Sequence, residues 1–113
     1  YSIIKGDLLI CEGGDVGRCC IWSLDETIYY QNALHRVRFH GGCEPKYFLY
    51  FMMYLEHTGY LKRISNGVTI KHLTKTVLTT IPFMLPPLAE QKRIVDEIEK
   101  IFATLDNIAN QVA

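Results

Sequence analysis

Four cysteines and four histidines are the residues of this 113-residue chain whose types could do covalent or metal chemistry. Cys11, Cys19 or Cys20 with His35 would offer a thiolate and a base. No spacing orders them as a dyad. Structural zinc needs paired C-x-x-C spacing, which Cys11, Cys19, Cys20 and Cys43 lack, and the adjacent Cys19 and Cys20 must point to opposite faces of a strand. There is no phosphate-cradling glycine motif and no recognisable frame of paired carboxylates. We therefore assign no catalytic residue, no metal site and no cofactor. The four thiols read as reduced core or strand residues of a cytosolic protein.

Binding chemistry is a better match, because the charges are unevenly placed although the formal net charge is zero. Up to Leu34, Lys5 and Arg18 are outnumbered by Asp7, Glu12, Asp15, Asp25 and Glu26. From His35 to Lys75, Arg36, Arg38, Lys46, Lys62, Arg63, Lys71 and Lys75 oppose only Glu44 and Glu56, and all four histidines fall in this stretch. Such a segment suits phosphate, although a modest basic excess is more commonly a solvated face. Thr69, Lys71 and His72 follow Gly67 in a polar loop and would offer a hydroxyl, an ammonium and an imidazole. Arg36 and Arg38 share a strand face, where the guanidinium fork fits phosphate or guanine, or equally an Asp or Glu of the chain itself. Gln31 and Asn32 could hydrogen-bond adenine, or satisfy a turn. Lys62, Arg63 and Lys75 would complete a basic rim.

The elements that must position these residues follow from pattern and punctuation. Leu8-Leu9-Ile10-Cys11 is a short apolar run ending in Gly13-Gly14-Asp15 and Gly17, so a hairpin is expected, with Cys19 to Trp22 as the return strand. Ala33 to Phe39 alternates without a clean apolar face and reads as a further strand. Pro45 suits a first helical turn, and Phe48, Phe51, Met52 and Leu55 recur at helix spacing until Gly59. Aromatic residues at that spacing are core before they are base-stacking platforms. Leu73 to Leu78 predicts a short helix with Thr74 near its start, and Thr80 to Met84 a closing strand before Pro86-Pro87.

Beyond the proline pair, Ile94, Ile98, Ile101, Leu105, Ile108 and Val112 step by 4, 3, 4, 3 and 4. This is a coiled-coil seam, widened near the body only by Val95 and Phe102. It covers under three heptads, about 30 Å at ~1.5 Å per residue, and so implies a partner helix or self-association through these positions. The expected fold class is α+β: a small, mostly antiparallel, twisted sheet with a packed helix near residues 45 to 57, then a long protruding helix. Residues 1–86 form the body and 87–113 the helix. No apolar run approaches the ~20 residues of a membrane span. The ordered pattern at both ends reads as a piece of a longer protein.

Leu85-Pro86-Pro87-Leu88-Ala89-Glu90-Gln91-Lys92-Arg93-Ile94 resembles the junction at which a target recognition domain passes into its spacer helix in type I restriction-modification specificity subunits. Gly6-Asp7-Leu8-Leu9-Ile10 with Gly14 and Gly17, then Gln31-Asn32-Ala33-Leu34, then Gly67-Val68-Thr69-Ile70-Lys71-His72-Leu73, resemble successive parts of the same family in order. The resemblance implies a cytoplasmic, non-catalytic module that reads one half of a split double-stranded DNA site. It also implies methyltransferase and restriction subunits as partners. S-adenosylmethionine, ATP and magnesium belong to those partner chains. The beginning of the recognition domain has no counterpart here, so the DNA sequence read is not implied. The competing readings are a coiled-coil scaffold that never touches DNA and, less favoured, a thiol enzyme.

Overall fold

The computed structural model describes residues 2–30, 33–65 and 71–112. The apolar run forms β2 (Leu8–Cys11), the centre of a three-stranded antiparallel sheet between β3 (Cys19–Ile21) and β5 (Leu34–Val37). Leu8 and Ile10 are fully buried and Leu9 nearly so. An unbroken apolar run is what a strand covered on both faces requires. Before and after the hairpin, β1 (Ser2–Ile3) and β4 (Ile28–Tyr29) pair as a separate antiparallel ribbon. The hairpin turn closes by a bond from the Gly17 amide to the Cys11 carbonyl, with Gly17 at φ +83°. A side chain at Gly17 would collide with Leu61.

The helix α1 (Pro45–His57) starts with proline at its first turn, where no amide is needed. It seats Met52 in a core made of Leu8, Ile10, Val16, Leu61 and Leu73, with Phe48, Leu49, Phe51 and Leu55 packed around it. Gly59, at φ +80°, ends α1 and starts α2 (Tyr60–Ile64), which delivers Leu61 to that core. Thr74 caps α3 (Lys75–Leu78), its hydroxyl accepting from the Val77 amide at 3.2 Å.

The expected strand over Thr80 to Met84 does not form; this stretch is a turn and irregular chain. Pro82 can donate no ladder hydrogen bond. The Thr79 and Thr80 hydroxyls instead donate to the Thr76 and Val77 carbonyls, finishing α3. Phe83 then fills an aromatic cluster, with ring centroids 5.1 Å from Phe48 and 4.9 Å from Phe51, and Phe48 in turn meets Phe39 at 5.5 Å. Phe48 and Phe51 of α1 therefore pack on the core as their spacing indicated, whereas Tyr54 of the same helix is 66% exposed.

The long helix α4 (Leu88–Val112) runs 25 residues. Its first half lies on α1, burying Gln91 and Val95, and its second half is exposed throughout. Gln91 is completely buried. Its amide nitrogen donates to the Gly42 and Pro86 carbonyls and its oxygen accepts from the Glu44 amide, each at 2.8 Å. The groups left open by the proline pair and by the start of α1 are thus closed by one side chain. At the edge of the same contact Lys46 meets Glu99 at 2.9 Å and Tyr50 stacks obliquely on Phe102 at 5.8 Å.

Candidate nucleic-acid interface

Arg36 on β5, Arg38 just beyond it, and Lys71 and Lys75 in the segment from Lys71 to Thr79 carry four cations of the chain's middle. The strand and the segment are tied together near the hairpin. Gly13 bridges to His72, and the Leu73 amide donates to the Glu12 carbonyl at 2.7 Å. His35 is 2.5 Å from the Leu73 carbonyl; since a carbonyl only accepts, Nε2 carries the proton. This docking leaves a cleft of about 550 Å³ whose lining includes Tyr30, Arg36, Arg38, Lys75 and Thr79 and no carboxylate among the described residues.

The two arginines are not equivalent. Arg38 makes a bidentate pair with Asp7, Nε to Oδ1 and Nη2 to Oδ2 at 2.8 Å each. Asp7 is 1% exposed, and the Arg38 hydrogen bonds hold its carboxyl below the usual carboxylate range against the opposing effect of burial. A charge buried this way is kept by its partner. Arg36 spends only Nη1, on the Ser2 carbonyl at 2.8 Å, and its Nε is buried without an acceptor. Among the described residues no carboxylate forms an ion pair with Arg36 or Lys75, although the Arg36 charge still acts on Asp7 through space.

Lys71 and His72 are exposed beside this docking point. Lys62 and Arg63 lie on α2 and do not line the cleft; Arg63 sits 5.7 Å from the centre of the Tyr60 ring and donates to the Thr58 carbonyl. Gln31, Asn32 and Thr69 lie outside the described residues. The structure thus brings Arg36, Arg38 and Lys75 together and sets Lys62 and Arg63 apart. Asp7, Tyr30 and Thr79 were missed from sequence. Asp7 stood in an acidic stretch, and its partner is 31 positions away.

The thiols and His35 form no dyad. Cys19 and His35 sit on either side of Ile10 in register, two strand spacings or about 10 Å apart. Burial pushes the Cys19 thiol up to about 12, the opposite of an activated nucleophile. All four cysteines are free thiols.

The seam divides. Ile94 and Ile98 are half-buried, whereas Ile101, Leu105, Ile108 and Val112 are 52–81% exposed. The body takes a different stripe, Gln91, Val95, Ile98 and Phe102, which also steps by 4, 3 and 4. At ~100° per residue the two stripes lie roughly 70° apart round the helix. The position of Gln91, four before Val95, was the signal that it is buried.

The pattern described as the type I restriction modification DNA specificity domain matches residues 1–112. The chain belongs to this family. It is 29% identical over 110 residues to the type I restriction enzyme EcoBI specificity subunit of Escherichia coli, covering 95% of this chain and 22% of that protein. A putative type I restriction enzyme specificity subunit of Haemophilus influenzae is 30% identical over 103 residues, 91% of this chain and 26% of the relative. A chain in a solved structure concerning complex assembly and conformational transition of the type I R-M system superposes with a TM-score of 0.78 at 29% identity, covering 99% of this chain and 27% of its own. The DNA specificity domain described here therefore spans about a quarter of the length of these relatives. Among its described residues no helix is long and apolar enough to cross a membrane.

Proposed function

We propose that this chain is part of a DNA-reading module of a cytoplasmic type I restriction-modification specificity subunit, itself without catalysis, which directs methyltransferase and restriction subunits to a target sequence. Residues 1–86 would be the later part of a target recognition domain and 87–113 the start of its spacer helix. The observation that carries the reading is the cleft holding Arg36 and Lys75, with no carboxylate among its described lining residues, in a chain of this family. Phosphate contacts fix register on a duplex while base-edge contacts read sequence. Arg36 and Lys75, with the exposed Lys71 and His72, would make contacts of the first kind, and Arg38 chiefly holds Asp7. Gln31, Asn32 and Thr69 remain candidates for contact with DNA, and Lys62 and Arg63 for a more distant basic rim.

The exposed half of α4 would pair with a second spacer helix or with another copy through Ile101, Leu105, Ile108 and Val112. A seam of exposed Ile and Leu is costly in water without such cover.

The test is a gel-shift series with the intact parent subunit and its methyltransferase, at two salt concentrations. Lys71→Ala and Lys75→Ala should each weaken binding to every sequence and reduce the slope of log affinity against log salt by about one unit. Binding that is equally tight in Arg36→Ala, Lys71→Ala and Lys75→Ala at both salts would leave the scaffold reading standing instead.

A further inference from the structure

Several contacts hold α4 to the body, among them a 3.5 Å hydrogen bond from the Tyr50 hydroxyl to Glu99, and they differ in how well they fix an angle. Val95 and the Tyr50–Phe102 stack are apolar and non-directional, so the helix can roll over them. Lys46–Glu99 joins two half-exposed side chains on flexible stems, a kind of pair that contributes little. Gln91 is different. Its planar amide is fully buried, and it bonds at 2.8 Å to the backbone at Gly42, Glu44 and Pro86. Both its amide hydrogens are used, and water cannot replace its partners without entering the core. Gly42 and Glu44 belong to the loop between β5 and α1, whose Gly41 and Gly42 take φ of +113° and +73° with no neighbour in reach of a Cβ. One side chain thus connects the first turn of the helix to the loop that follows the cationic strand.

The lever is long. From Gln91 to Val112 the helix extends about 32 Å at ~1.5 Å per residue, so a tilt of roughly 10° at the first turn moves the far end by about 5 Å, more than the ~3.4 Å step between base pairs. We propose that Gln91 is the positioning residue that fixes the angle at which α4 leaves the sheet body. Given the reading of α4 as a spacer helix, Gln91 thereby determines which separation of DNA half-sites the parent protein accepts.

The first arm measures the angle without DNA. Keto-bearing aromatic side chains are introduced at Tyr54 and Asn110, spin-labelled so that the native thiols stay untouched, and diluted with unlabelled chain. The distance distribution between the labels should be single and narrow in the parent. In Gln91→Met it should at least double in width or move by about 5 Å, with the near-ultraviolet circular dichroism of the aromatic cluster unchanged. Gln91→Asn, one methylene shorter, serves if the methionine variant does not fold, and Lys46→Met should leave the distribution as it is. An unchanged distribution in a folded Gln91 variant, or equal broadening from Lys46→Met, overturns the assignment. So does unfolding of both Gln91 variants, which would make the residue a requirement of the fold alone. The second arm uses the full-length protein on DNA whose half-sites are one base pair closer or further apart. Gln91→Met should bind all three spacings within about threefold where the parent discriminates. Broadened distances with discrimination intact would leave the pivot in place and overturn the spacer-helix consequence.

Discussion

From Leu88 to Glu99, α4 lies against the body with Gln91 and Val95 buried and Glu99 paired to Lys46; from Ile101 to Val112 every residue is exposed and Asp106 alone is charged. The first half is held by burial and by a satisfied polar clamp. Beyond the Tyr50–Phe102 contact, the second half has only helix propensity and its continuity with the first, which for about ten residues in water is marginal. One continuous helix thus has one face packed on its own body and another apolar face, some way round, exposed. Sequence periodicity registers both stripes but not the boundary between them.

Four variants break or sharpen this contrast. Val95→Asp should have the largest effect, because it buries an unpaired carboxylate; a loss of about 3–4 kcal/mol is expected in a denaturant melt. A stable variant would mean that α4 does not depend on the body.

Asp7→Asn probes the buried ion pair within the body and should lower the melting temperature near neutral pH by roughly 10 °C. The Arg38 hydrogen bonds depress the Asp7 carboxyl in the folded state. The stabilisation from this pair is therefore complete above the unfolded value of about 4 and is lost as pH falls through the depressed folded value. The parent should show a steep acid limb that the Asn variant flattens, measured by melts from pH 7 to pH 2.

Replacing Ile101 and Leu105 with Asp, in the exposed half, should leave the body's melt within about 2 °C but abolish self-association in sedimentation. An unchanged sedimentation profile would count against the seam. Lys46→Met should do least, shifting the melt by under about 3 °C, because the pair it removes is half-exposed.

Much of the fold was legible. The run of β2, its return strand, the α1 stripe, the Thr74 cap and the periodicity of α4 are local signals, and each appears where its residues placed it. The ribbon of β1 and β4 was not legible, since two residues per strand carry no periodicity. The strand expected over Thr80 to Met84 does not form, since Pro82 lacks the amide that a ladder needs. The candidate site was legible in composition and not in geometry. Nothing local says that Arg38 is bound to Asp7 while Arg36, two residues away on the same face, is not. That distinction comes from strand pairing across some 30 residues.

Gly17 carries a further consequence. Since Leu61 occupies the space that any side chain there would need, the hairpin turn and α2 are complementary shapes built from opposite ends of the body. A Cβ at this turn would meet Leu61 Cδ1 well inside contact distance, so the Leu61 side chain would have to shift within the core before any residue but glycine could stand there.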